Sequence, residues 1–163
     1  TFFATVQNKM HWAAHGHTAA ELIRSRADAS VPNMGMTSIP GHRVTLDEAK
    51  VAKNYLAADE LNALNRIVTA YLEFAELQAM NRKPMTMADW IAKLDDFLKL
   101  SDREILTHAG RITQSEAAEH ARREFEKFRT ISAERPSPVE EHFREAIAKA
   151  KQIEKQTRPR KRS

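Results

Sequence analysis

The chain has 163 residues, 42% of them hydrophobic and 29% charged, with 4 glycines, 6 prolines and no cysteine. That length suffices for one domain with a substantial core, while the missing cysteines exclude disulfide scaffolds and thiolate metal sites. The net charge is +4, yet Arg158, Arg160, Lys161 and Arg162 account for four of the 26 basic residues, and the remaining 22 balance the 22 acids; the body therefore lacks the basic footprint of a nucleic-acid-binding domain.

The scarcity of glycine and proline argues against a sandwich or barrel and for helices. The expected class is all-α: a single helical domain of about seven to eight helices around a long central helix, with one long loop near 30–44. No apolar run approaches the roughly 20 residues needed to span a bilayer. The start of the chain shows no secretory signal pattern. These features give the expectation of a cytoplasmic protein without a membrane partner. Thr1 in place of Met fits a fragment or a trimmed chain.

In chain order, helices are expected at roughly 2–15, 19–28, 46–56, 59–82, 87–99, 102–109, 115–134 and 138–156. Ser or Thr followed three residues later by Glu recurs at Thr18/Glu21, Thr45/Glu48, Ser101/Glu104 and Ser137/Glu140. Each such pair can close a capping box at a helix start. In the first helix Phe2, Phe3, Val6, Met10 and Ala13 form the apolar stripe, so His11 and His15, four apart, are expected on the wetter side. The helix over 59–82 is the clearest, with Leu61, Leu64, Val68, Tyr71, Ala75 and Gln78 at three–four spacing and Ile67, Leu72 and Phe74 widening the face. Asn65 borders that stripe and is expected as a structural amide holding the 30–44 loop. In "MTMADWIAKLDDFLKL" the residues Met87, Trp90, Ile91, Leu94, Phe97 and Leu98 repeat as core, with Asp89, Asp95 and Asp96 as solvated charges. The helical domain is expected over 1–156, followed by a disordered basic tail over 157–163.

"HWAAHGHTAAE" (11–21) carries the most chemistry per residue. Two imidazoles at i and i+4 can share a zinc ion. A metalloprotease helix needs an acid directly after the first His, and here that residue is Trp12, which excludes that chemistry. A third ligand would have to be His17, Glu21 or the distant His42, and no metal site or cofactor is assigned. Three readings stay open. The stretch can be a helix–turn–helix corner with Gly16 ending one helix and Thr18 capping the next. It can be an acid–base site of His11, His15, His17 and Glu21, with Lys9 nearby. It can also be a DNA-reading corner in which the second helix exposes Arg24, Ser25, Arg26 and Asp28, with Arg24 and Arg26 as contacts. Lys53 and Asn54 are further candidate binding residues. Glycine-rich phosphate loops, a serine elbow and a dinucleotide turn are absent from the sequence.

"FFATVQNKMHWAAHGHTAAELI" (2–23), "RADASVPNMGMTS" (26–38), "VAKNYLAADELNALNRIVTAYLEFAE" (51–76), "PMTMADWIAKLDDFL" (84–98) and "ILTHAGRIT" (105–113) follow one another with the order and spacing of a known family. Over roughly residues 2 to 130 the chain resembles the RhuM family of bacterial virulence-associated proteins, in the C-terminal half of the family pattern. That label implies no established reaction. The resemblance implies a link to an N-terminal module similar to a DNA-binding helix–turn–helix, whose role does not transfer to residues of this chain. Some relatives are joined to Fic-type toxin domains, whose His-Pro-Phe and Gly-Asn-Gly-Arg elements this sequence lacks. The expected function is a non-enzymatic interaction or regulatory module whose partner is a protein or that DNA-binding module. The alternative is a toxin-like enzyme, a nuclease or nucleotidyl-modifying activity, using His11, His15 and His17. The tail residues Arg158, Arg160, Lys161 and Arg162 are expected to meet nucleic acid weakly and without sequence preference.

Overall fold

A computed structural model describes residues 2–41, 43–134 and 138–157. Among the described residues every regular element is helical, as expected: α1 (Phe2–His15), α2 (Ala19–Arg26), α3 (Leu46–Ala49), α4 (Ala58–Met80), α5 (Met87–Leu100), α6 (Gln114–Glu134) and α7 (Pro138–Thr157), with short 3-10 turns at Pro32–Gly35 and Ala52–Tyr55. By internal packing the chain groups into two units, Thr1–Phe128 and Arg129–Ser163.

In the first unit α1 lies along α4 and also touches α5 and α2. The long α4 turns the expected stripe inward: Leu64, Ile67 and Tyr71 are buried, Leu61, Val68 and Phe74 pack at the margin, and only Leu72 of the widened face points to solvent. Tyr71 donates its hydroxyl proton to the Trp90 carbonyl of α5 at 2.8 Å, and its ring meets Phe74 and Phe97. From α5, Leu94 and Leu98 are fully buried, whereas Met87 is exposed. Burial of aliphatic and aromatic side chains of this size contributes about 1.5–3 kcal/mol each, so this layer carries much of the fold.

Capping chemistry sets several boundaries. Thr18/Glu21 and Thr45/Glu48 form the reciprocal boxes their spacing predicts. Two more occur at Thr86/Asp89 and Thr113/Glu116. Ser101/Glu104 does not. Ser101 ends α5 instead, its hydroxyl donating to the Phe97 carbonyl, and Asp102 takes a positive φ that stops the helix. Residues 102–109 form no helix, because Ile105 and Leu106 stand as an isolated apolar pair without a three–four repeat. The expected helix over 46–56 is also interrupted: α3 is a single turn, and the chain re-enters as the Ala52–Tyr55 turn so that Tyr55, fully buried, can donate to the Ala49 carbonyl. Ser137 and the side chain of Glu140 lie outside the described residues.

The segment after α2 is a loop, but a clamped one. Asn33, Met34 and Gly35 are successively left-handed, which drives Met34 into the core. The amides of Thr37 and Ser38 donate to the Asn54 carbonyl, and Asn54 Nδ2 donates to the Glu48 carbonyl. The residue that holds this loop is therefore Asn54, through its backbone carbonyl, and not Asn65, which is exposed on the outer face of α4.

In the second unit α7 carries Phe143 and Ile153 outward among charged residues.

Candidate functional site

α1 ends at Gly16, whose φ of +76° is the left-handed conformation of a helix stop, with its N–H on the Trp12 carbonyl at 2.8 Å. Thr18 then starts α2. The hydroxyl of Thr18 accepts from the Glu21 amide, and Glu21 Oε2 accepts from the Thr18 amide at 2.9 Å. The other carboxylate oxygen of Glu21 accepts from the Arg111 amide at 2.7 Å, which ties the corner to a strand-free segment ninety residues away. Desolvation would raise the Glu21 carboxyl, but the Arg111 and Thr18 amides outweigh it and hold its pKa below the usual range.

His11 is buried, 3% exposed, and does not sit on the wetter side expected for it. The reason is that α1 is covered on two flanks, so the His11 face is also an inner face. His11 Nδ1 and His15 Nε2 are 2.9 Å apart, and His17 Nδ1 donates to the His15 carbonyl at 3.1 Å. Burial first, and the neighbouring His15 second, lower the His11 pKa to about 4. Burial also lowers that of His15; the Glu60 carboxylate opposes this shift, and His17 and Arg26 add to it. His15 Nδ1 is buried without a hydrogen-bond partner.

Lys9, expected as an accessory to these histidines, is instead a buried cation. Its ammonium donates to Asp95 Oδ1 at 2.8 Å and to the Leu106 carbonyl at 2.9 Å. Asp95 is thus the counter-ion of α1, not a solvated charge. Arg26 is also committed within the fold rather than exposed: its guanidinium forms a two-pronged pair with Glu60, 2.6 Å at each contact, and donates to the Tyr55 carbonyl. The Arg26 hydrogen bond is the main cause of a Glu60 pKa lowered to about 2. Arg24 is exposed, yet its Nη1 donates to His120 Nδ1 at 3.3 Å, and His120 Nε2 in turn donates to the Ala27 carbonyl. Both arginines of the proposed reading helix therefore bridge to other parts of the first unit, and Ala19, Ala20, Leu22 and Ile23 of that helix are buried.

The structure does not gather the histidines with Lys53 and Asn54. Lys53 instead lines a cleft of about 460 Å³ together with Gln7, Asn8, Lys50, Thr113 and Gln114, and no histidine borders it. Lys50 escaped notice in the sequence because it closes α3 three residues before Lys53, and a pair of lysines at that spacing is common on any surface. Glu60 was missed because Ala57, at the cap position, hides the capping pattern that would have flagged it. Among the described residues no group of three or more His, Asp or Glu side chains is placed to hold a metal ion. His42 and the tail residues Arg158, Arg160, Lys161 and Arg162 lie outside the described residues.

A family model described as "Virulence protein RhuM family" matches residues 1–136. The chain belongs to the RhuM family. This match takes in the whole histidine corner, the Asn54 clamp and the lysine-lined cleft, while α7 lies beyond it in the RhuM-family chain. No curated protein and no solved structure matches the chain. No helix among the described residues is long and apolar enough to cross a membrane.

Proposed function

We propose that this RhuM-family chain is a non-enzymatic interaction or regulatory module, working in the cytoplasm beside a protein partner or a linked DNA-binding module. One observation carries the reading: the groups that chemistry would need are spent on holding the fold. His11 is paired inside, Lys9 neutralises Asp95, Arg26 neutralises Glu60, and Glu21 closes a cap and binds the Arg111 amide. A general acid or base must reach the proton it transfers, and a ring that is 3% exposed does not offer that reach. An interaction role also offers a use for Leu77, Met80 and Met87, which flank the α4–α5 connection in sequence and are all exposed.

The competing reading is a toxin-like nuclease or nucleotidyl-modifying enzyme built on His11, His15 and His17. It draws on one feature, the unpartnered His15 Nδ1, which a substrate group would satisfy. To separate the two, the purified chain is incubated with RNA, single-stranded DNA, nucleoside triphosphates and divalent metals, and products are read by mass spectrometry. The interaction reading expects no product. Turnover that disappears in His15→Ala while the variant still melts cooperatively would establish the enzyme.

A further inference from the structure

The cleft between α1, α2, the 50–53 segment and the start of α6 has two unlike walls. Lys50 and Lys53 stand on one side, and among the described residues neither has a carboxylate partner. Lys9 and Arg26, by contrast, are neutralised at short range by Asp95 and Glu60. No Asp or Glu lines the cleft. Gln7, Asn8 and Gln114, which carry side-chain amides, line the same cleft. Asn8 Oδ1 already accepts from the Ala19 amide, which fixes the orientation of the amide and leaves Nδ2 as its donor end. Beneath these groups Ala20, Ile23, Ala52 and Ile112 supply an apolar floor, Ala20, Ile23 and Ala52 being buried.

Two point charges of one sign, amide donors and a small apolar floor fit a ligand with a compact anionic head and an uncharged body. Lysine binds phosphate as a compact point charge whose donors reorient freely, without the fixed bidentate geometry that arginine brings to phosphates and carboxylates alike. A volume of about 460 Å³ lies in the range of small-molecule sites and holds a mononucleotide or a sugar phosphate. We propose that the cleft lined by Lys50, Lys53, Gln7, Asn8 and Gln114 binds a small phosphate monoester. The phosphate sits between the two ammonium groups, and the body of the ligand rests on Ala20, Ile23 and Ile112. The walls come from α1, α2, the 50–53 segment and the 109–114 segment, so an occupant would link four separate parts of the first unit. The inference deepens the module reading by giving it a ligand to respond to, and it rests on that reading only for its regulatory meaning, not for the binding itself.

The test is isothermal titration of the whole chain with 5′-AMP, glucose 6-phosphate and inorganic phosphate, with adenosine and glucose as uncharged counterparts and a ten-nucleotide DNA strand as a polymeric one. The expected result is that at least one monoester binds with Kd of about 1 mM or tighter, that its uncharged counterpart binds at least tenfold more weakly, and that added salt weakens the monoester. Lys50→Gln and Lys53→Gln should each weaken it about five- to tenfold, and the double variant should abolish it with the melting temperature unchanged; both side chains lack ion pairs, so their loss leaves the fold intact. Binding of no monoester, equal binding by the double variant, or binding of inorganic phosphate as tight as that of the monoesters would overturn the proposal. So would a lysine-dependent preference of tenfold or more for the DNA strand, which would make the cleft part of a nucleic-acid path. Chemical conversion of a bound monoester would refute the non-enzymatic reading while leaving this site standing.

Discussion

His11 Nδ1 and His15 Nε2 face each other at 2.9 Å across one turn of α1, so a single proton serves both nitrogens. The cheaper arrangement puts that proton on His15 Nε2, because His15 Nδ1 is then a bare lone pair and not an unsatisfied buried donor. A second proton would force two N–H groups together in a site that already disfavours charge.

Stability should therefore fall in mild acid. The folded pKa of His11 lies near 4, below its ordinary value of 6.5, so the unfolded chain binds the proton first. Stability is complete above pH 6.5 and is lost as pH falls toward 4, by up to about 3 kcal/mol from this ring. Glu60 extends the loss: its carboxyl titrates near 2 in the fold against 4.5 ordinarily, so its contribution is present above pH 4.5 and lost below. Urea midpoints measured from pH 7.5 to 4 should decline, and His11→Leu should flatten the upper part of that decline. An equal slope in His11→Leu would remove His11 as its cause.

Lys9 and Asp95 should behave as a buried pair. Lys9→Met leaves Asp95 and the Leu106 carbonyl without their donor and should cost about 2 kcal/mol. The double change Lys9→Met with Asp95→Leu should recover part of that loss, since an apolar pair of similar volume tolerates burial. A double-mutant cycle by chemical denaturation gives the coupling; a value near zero would mean that the two charges act independently.

Two left-handed glycines should respond differently to alanine. At Gly16 a Cβ meets nothing within 4 Å, so only the cost of about 1–2 kcal/mol for a left-handed backbone applies. At Gly35 a Cβ would run into the Arg26 carbonyl oxygen, a backbone atom that cannot step aside. Gly35→Ala should then lower the melting temperature several degrees more than Gly16→Ala, as differential scanning calorimetry would show. Equal losses would mean that the loop yields.

The basic C-terminal residues Arg158, Arg160, Lys161 and Arg162 should supply whatever affinity the chain has for DNA or RNA. Neutralising about four phosphates gives a log–log salt slope of roughly −3 to −4 on duplex DNA. Removing residues 157–163 should abolish that binding in a filter or anisotropy titration across salt. Sequence-selective binding that survives the truncation would point to Arg24 and Arg26.

Much of the fold was legible because it is written locally. The 61–78 stripe and the Thr18 and Thr45 caps depend on spacings of three and four, which a sequence displays directly. Ser101 shows where that logic fails: the same Ser-x-x-Glu spacing follows a helix as readily as it precedes one, and only the missing apolar repeat after it tells the two apart. The site was less legible for a different reason. His11 was placed on the wet side by the polarity of its own helix, but burial depends on α4 and α5 arriving from elsewhere in the chain. Lys9 finds Asp95 at a separation of 86 residues and Asn54 reaches back to Thr37, distances over which helical periodicity carries no information.

Those separations have a consequence for synthesis. Lys9 waits for Leu106, Glu21 for Arg111, Arg24 for His120 and the Ala29 amide for Glu124. At a translation rate of about 5–20 residues per second, the first two helices spend several seconds outside the ribosome before these partners emerge. During that interval the nascent hairpin carries an unmatched ammonium beside uncovered Met10, Leu22 and Ile23. The closing stretch from Leu106 to Glu124 thus acts as a late latch, and a ribosome stalled before it would display a sticky, half-built pair of helices to the chaperones of the cell.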